Sequence, residues 1–230
     1  MTPFLLVPGL NCDARVYAGV AQALWPFGPT TVANHQTGDR MQAIAKAILA
    51  DAPPKFALIG FSMGGYIAFE IMRQAPERVR KLGLLDTTTR PDTEESTANR
   101  RRLIALAQKG KFIDAINQTF PKSVHAENAN NSDLYAIHRG MAEANGPKIY
   151  EQQQDAIIGR PDSRPTLATI HVPTLVVVGE GDQITPPDAA REMHRGIAGS
   201  RLLVVPRAGH LALLEQPEPV HAALREWAGA

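Results

Sequence analysis

A chain of 230 residues suffices for one well-buried domain carrying an insertion and is short for two independent ones. With 44% apolar and 20% charged residues, a formal charge of +1 and no basic run beyond Arg100, Arg101 and Arg102, it reads as globular, with nucleic acid excluded as a partner. A single cysteine, Cys12, excludes an intramolecular disulfide, Pro8 and Gly9 interrupt the start before a signal-peptide core could form, and no apolar run nears the roughly 20 residues of a membrane span; the expectation is a cytoplasmic protein without a membrane partner.

Short β-rich runs alternate with helix-period segments, the pattern of βαβ units and a mostly parallel sheet. Strands are predicted at Phe4 to Val7, Thr30 to Asn34, Phe56 to Gly60 and Lys81 to Asp86. Between them Asp13 can cap a helix reaching Ala23, Asp39 one reaching Leu49, and Met63 to Ala75 is a helix stopped by Pro76. From Thr87 to Val172 no strand is legible. That stretch reads as four helices: one capped by Asp92, Lys111 to Phe120, Ser132 to Glu143 after an Asn-rich turn, and one opened by Pro147. Strands resume at Leu175 to Gly179 and Arg201 to Val205. The expected organisation is an α/β core of residues 1–86 and 173–230, with residues 87–172 inserted as a helical cap.

Gly60, Phe61, Ser62, Met63, Gly64 form a G-x-S-x-G pattern between the apolar run Phe56 to Ile59 and the helix beginning near Met63. A strand that reverses sharply into a helix holds its serine in a strained backbone state, leaves no room for side chains at the two glycines and exposes the hydroxyl. The competing reading is that Ser62 only caps that helix.

A serine hydroxyl needs a base. Among seven histidines, His210 follows the last strand and so shares the carboxyl rim of the sheet with Ser62. His35 also follows a strand, His171 precedes one and falls on the opposite rim, and His125, His138, His194 and His221 read as surface positions. The carboxylate that orients the base is sought on the same rim, between serine and histidine in the chain. Asp182, in Gly179, Glu180, Gly181, Asp182, fits best; Asp86 at the end of its strand is the rival and Glu180 the third choice. Backbone N–H groups of Met63, after the serine, and of Leu10, in the turn Val7, Pro8, Gly9, Leu10, would hold a developing oxyanion.

Taken together, Leu6 to Leu10, the elbow GFSMGG from Gly60, the acid turn VGEGD from Val178 and AGH from Ala208 to His210 resemble the α/β-hydrolase superfamily. The likeness is to its small esterases, enol-lactonases and relatives of the pimeloyl-carrier-protein methyl esterases. Pro8 departs from the histidine common at that place. The hairpin that opens many relatives looks absent, leaving about six parallel strands with Thr30 to Asn34 at an open edge through which a homodimer could form.

The resemblance implies a serine hydrolase with Ser62, His210 and Asp182 as its triad, acting without cofactor or metal on a small, largely uncharged carboxylic ester. A lactonase or thioesterase with the same triad, or a non-catalytic binding protein of this fold, are the alternatives. Cap faces bearing Phe112, Ile116, Met141 and Tyr150 suggest a mostly apolar pocket.

Overall fold

The computed structural model describes residues 1–230. Six strands, β1 (Phe4–Val7), β2 (Thr30–Val32), β3 (Phe56–Phe61), β4 (Val79–Leu85), β5 (Thr174–Gly179) and β6 (Arg201–Val205), form one sheet in the order β2-β1-β3-β4-β5-β6. Every pairing is parallel, with Leu6 opposite Ile59 and Val177 opposite Leu203 marking the register. β2 lies at an edge, where Thr31 is exposed.

Because side chains alternate along a strand, the continuous apolar runs feed two cores at once. Leu5, Val7 and Leu58 pack beneath α2 (Met41–Asp51), α3 (Met63–Gln74) and α7 (Pro187–Gly196). Leu6, Ile59 and Phe61 pack on the other face beneath α1 (Ala18–Leu24) and α9 (Pro217–Gly229), which α8 (Ala212–Glu215) precedes. Both faces are thereby withdrawn from water, at about 1.5–3 kcal/mol for each large aliphatic side chain.

Residues 87–172 contain α4 (Glu94–Leu106), α5 (Phe112–Ser123) and α6 (Ser132–Ile158), and no strand. Gly146, at φ 76° and ψ 171°, breaks α6 ahead of Pro147, so this element is two helices meeting at a kink, as the proline suggested. Leu103, Phe112, Ile116 and Tyr150 make a small core of the cap's own, whereas Phe120 and Met141 join the core beneath the sheet. The cap is anchored to the body by that packing.

Three expected caps differ. Asp13 does accept from Arg15 N, but the turn it starts is a 3₁₀ turn, Ala14–Tyr17, ahead of α1. α2 begins after Arg40 without a side-chain cap, and Asp39 stays exposed. Thr93, not Asp92, caps α4 through Ser96 N. Asp92 is turned inward to two guanidinium groups, Arg100 and Arg160, which satisfy a buried carboxylate better than one helix N–H.

Candidate active site

All six strands run the same way, so their carboxyl ends share one rim, and the turns leaving β1, β3, β4, β5 and β6 bring Gly9, Ser62, Asp86, Asp182 and His210 to it. Ser62, at φ 52° and ψ −116°, occupies a region that costs a non-glycine residue about 1–3 kcal/mol. Surrounding bonds hold it there: its N–H donates to Leu85 O at 2.9 Å, and its carbonyl accepts from Thr87 Oγ1 at 2.8 Å. A Cβ at Gly60 would strike the carbonyl of Gly64, and one at Gly64 would strike that of Val7, so the elbow closes only with glycine at both. The Ser62 side chain makes no capping bond to α3; its Oγ lies 2.7 Å from His210 Nε2.

His210 Nδ1 is 2.8 Å from Asp182 Oδ2, and both side chains are buried. Asp182 also accepts from Ile184 N at 2.8 Å, Thr185 N at 2.9 Å and Thr185 Oγ1 at 2.7 Å. Burial pushes its pKa upward, but the adjacent His210 and these donors outweigh it and hold the carboxyl below its usual range. An ionised Asp182 accepts the proton on Nδ1, which leaves Nε2 with a lone pair facing the serine hydroxyl. Gly179 and Gly209 let the acid turn and the histidine loop touch, since a Cβ on Gly179 would meet Gly209 O. Glu215 fastens that loop to the cap, accepting from Gly209 N and His125 N at 2.7 Å each.

Asp86, the rival acid, is fully buried, and its Oδ1 accepts from Gly179 N at 2.8 Å while Oδ2 has no partner. Burial first, and the negative Asp182 second, raise its pKa well above the carboxylate range. Both effects favour the protonated carboxyl, and the side chain props the strand end through Gly179 N. Its folded pKa exceeds its unfolded one, so the stability it contributes is full below about pH 4 and is lost as pH rises toward the folded pKa, at about 1.4 kcal/mol per unit. Asp86→Asn keeps an oxygen for Gly179 and removes this dependence. Thermal melts should show the parent falling relative to the variant as pH rises above about 4, and parallel curves would contradict a raised Asp86 pKa.

His35, the second-choice base, does not approach Ser62; its Nε2 donates to Gly9 O at 2.9 Å, and burial lowers its pKa to about 4. It steadies the turn after β1. There Leu10 N–H makes no hydrogen bond, and Met63 N–H, the first of α3, has no acceptor within its helix. The turn is clamped further by Gln153 Oε1, accepting from Asn11 N at 2.7 Å, and Asn145 Nδ2, donating to Asn11 O at 3.0 Å. Pro8 leaves these donors intact. Cys12 beside it is a buried thiol whose pKa burial drives to about 12.

A Cβ at Gly9 would lie 2.9 Å from the Phe61 ring and 3.2 Å from Ser62 Cβ. Gly9→Val should thus lower kcat by about tenfold or more by displacing the Leu10 N–H and cost about 1–3 kcal/mol of stability by overpacking. Kinetics and melts on that variant check both; an unchanged kcat would remove Leu10 from any role in charge stabilisation.

Beside Ser62 and His210 opens a cavity of about 580 Å³ roofed by the cap. It is not mostly apolar: 10 of its 23 lining residues are hydrophobic, and Arg100, Glu95 and Lys122 are among the others. Ile116 and Tyr150 line it, whereas Phe112 and Met141 turn into the cores. His138, expected at the surface, also lines it; burial and then His210 lower its pKa to about 4. No sequence signal marked His138 or Thr185, because each matters only through a neighbour distant in the chain or set by the loop's turn. His171 is exposed ahead of β5, and Glu180 is exposed beside the acid turn. No group of three His, Cys, Asp or Glu side chains is placed to hold a metal ion, and no helix is long and apolar enough to cross a membrane.

A family model described as the alpha/beta hydrolase fold matches residues 39–217, a stretch that includes Ser62, Asp182 and His210. The chain is 28% identical over 241 residues to a pimeloyl-[acyl-carrier protein] methyl ester esterase of Neisseria meningitidis, covering 96% of this chain and 75% of that one. Among solved structures it resembles a thermophilic esterase from Thermogutta terrifontis, at 31% identity and TM-score 0.89, over 99% of this chain and 89% of the other. An enol-lactonase from Burkholderia xenovorans, at 20% identity and TM-score 0.87 over 100% and 92% of the two chains, shares the fold.

Proposed function

This chain belongs to the α/β-hydrolase fold family, and from that premise we propose that it hydrolyses a small carboxylic ester through an acyl-enzyme on Ser62. The observation that carries the reading is the unbroken line from Ser62 Oγ through His210 to Asp182, with separations of 2.7 and 2.8 Å. In this reading Ser62 Oγ attacks the ester carbonyl as His210 Nε2 takes its proton. The carbonyl oxygen becomes negative against the N–H groups of Leu10 and Met63, which are fixed beforehand and need no reorganisation. His210 then passes the proton to the departing alcohol, and water, deprotonated by the same imidazole, releases the acid and frees Ser62. Asp182 orients the ring and stabilises its charged form. The esterase names carried by relatives at 28% and 31% identity support the same bond type.

The test is turnover of p-nitrophenyl acetate, butyrate and octanoate by the purified protein. Release of p-nitrophenol that saturates with substrate and is absent from the Ser62→Ala protein is expected; absence of turnover on all three together with methyl esters would contradict the reading.

A further inference from the structure

Several polar groups in the wall of the Ser62 cavity have no partner in the protein. Tyr150 is 2% exposed and lines the cavity, yet its hydroxyl makes no hydrogen bond; Gln154 approaches it without the geometry of one. The Asn11 side-chain amide and His138 Nδ1 are buried and unpartnered in the same cavity. Leaving such a group unsatisfied is costly, so a hydroxyl kept in that state in the cavity that holds a nucleophile is a candidate ligand contact.

Arg100 lines the same cavity and reaches the Gln154 side chain that approaches Tyr150. Its Nε donates to both oxygens of Asp92 at 3.1 to 3.2 Å and Nη1 to Gln154 Oε1 at 2.8 Å, while Nη2 makes no hydrogen bond. The same Asp92 pairs with Arg160 Nη1 at 2.8 Å, and Arg160 in turn lies over the ring of Tyr66, 4.5 Å from its centroid. Two guanidinium groups therefore share one carboxylate, and this cluster, which reaches the cavity through Arg100, carries one positive charge in excess. Glu95 and Lys122, the other ionised side chains lining the cavity apart from the Ser62 environment, are exposed and opposite in sign.

We infer that Arg100 and Tyr150 form a specificity subsite for a carboxylate of the substrate remote from the ester that Ser62 attacks, so that the substrate class is the half-ester of a dicarboxylic acid. The inference rests on the ester-hydrolase reading above and replaces the expectation of an uncharged ester. Arg100 Nη2 and the Tyr150 hydroxyl donate to the remote carboxylate, which neutralises the surplus charge. Gln154 and Asp92 hold the guanidinium in place. Asn11 and His138 are neutral and do not compete for the anion.

The experiment compares kcat/KM for monomethyl esters of the dicarboxylic acids from succinate to suberate with methyl esters of monocarboxylic acids of matched length. The parent should favour at least one half-ester over its uncharged match by about tenfold or more. Arg100→Gln should collapse that ratio mainly through KM, and Tyr150→Phe should reduce it about fivefold or more without lowering the melting temperature. Because the phenylalanine variant loses only an unpartnered hydroxyl, it tests the subsite even if Arg100→Gln folds poorly. A parent ratio near unity, or a ratio that neither substitution moves, overturns the carboxylate subsite while Ser62-dependent turnover of uncharged esters still stands. Loss of turnover on both classes would instead overturn the ester reading and this inference with it.

Discussion

Ser62→Ala should lower kcat by about 10⁴ to 10⁶ and leave the fold intact, because attack would then depend on water and residual polarisation alone. The structural side of that expectation is specific. The hydroxyl bonds to His210 and caps nothing, and the elbow is held by the Ser62 backbone through Leu85 and Thr87, which alanine retains. Melting temperature should therefore change little. A folded alanine variant retaining more than a few per cent of the parent rate would show that another group attacks the ester.

Asp182→Asn should cost about 10⁴ in rate. An asparagine oxygen can still accept from Ile184 N and Thr185 N, but the amide nitrogen would then face His210 Nδ1 with a donor. The imidazole would move its proton to Nε2, where it can no longer take one from Ser62. Asp86→Asn, in contrast, replaces a carboxyl that burial drives toward its neutral form and whose side chain meets Gly179 N and not the imidazole, so its rate should stay within a few-fold of the parent. Parallel kinetics on the two variants decide between them, and the reverse ranking would move the orienting acid to Asp86.

Why the rim positions of Asp182 and His210 were legible without coordinates, and the cavity position of Tyr150 was not, follows from how each is placed. A parallel strand reads as an apolar run ended by turn residues, and the residue just past it must lie on the carboxyl rim; Ser62, Asp86, Asp182 and His210 were all legible in that way. The glycines of the elbow announce a close approach that no side chain permits, and Val7 O and Gly64 O are indeed where those Cβ atoms would go. Choosing Asp182 over Asp86 needed chain order as well as position, since only coordinates reveal that Asp86 meets Gly179 N and not the imidazole.

The cap resisted the same treatment. Arg100 and Gln154 are 54 residues apart, and their contact depends on how α4 lies against α6 around the break at Gly146. Asp92 looked like a helix cap because the local pattern contains no record of Arg160, 68 positions later. His138 and Tyr150 sit on helices whose apolar faces are legible, but a helical period does not say whether a polar tip ends in water, in a core or in a cavity.

The most direct measurement of the central claim is mass-spectrometric mapping of the protein after reaction with a fluorophosphonate. One adduct per chain is expected, in the peptide containing Ser62, with loss of esterase activity in proportion to labelling and no adduct in Ser62→Ala. An adduct on any other residue, or full activity remaining in completely labelled protein, would contradict Ser62 as the nucleophile.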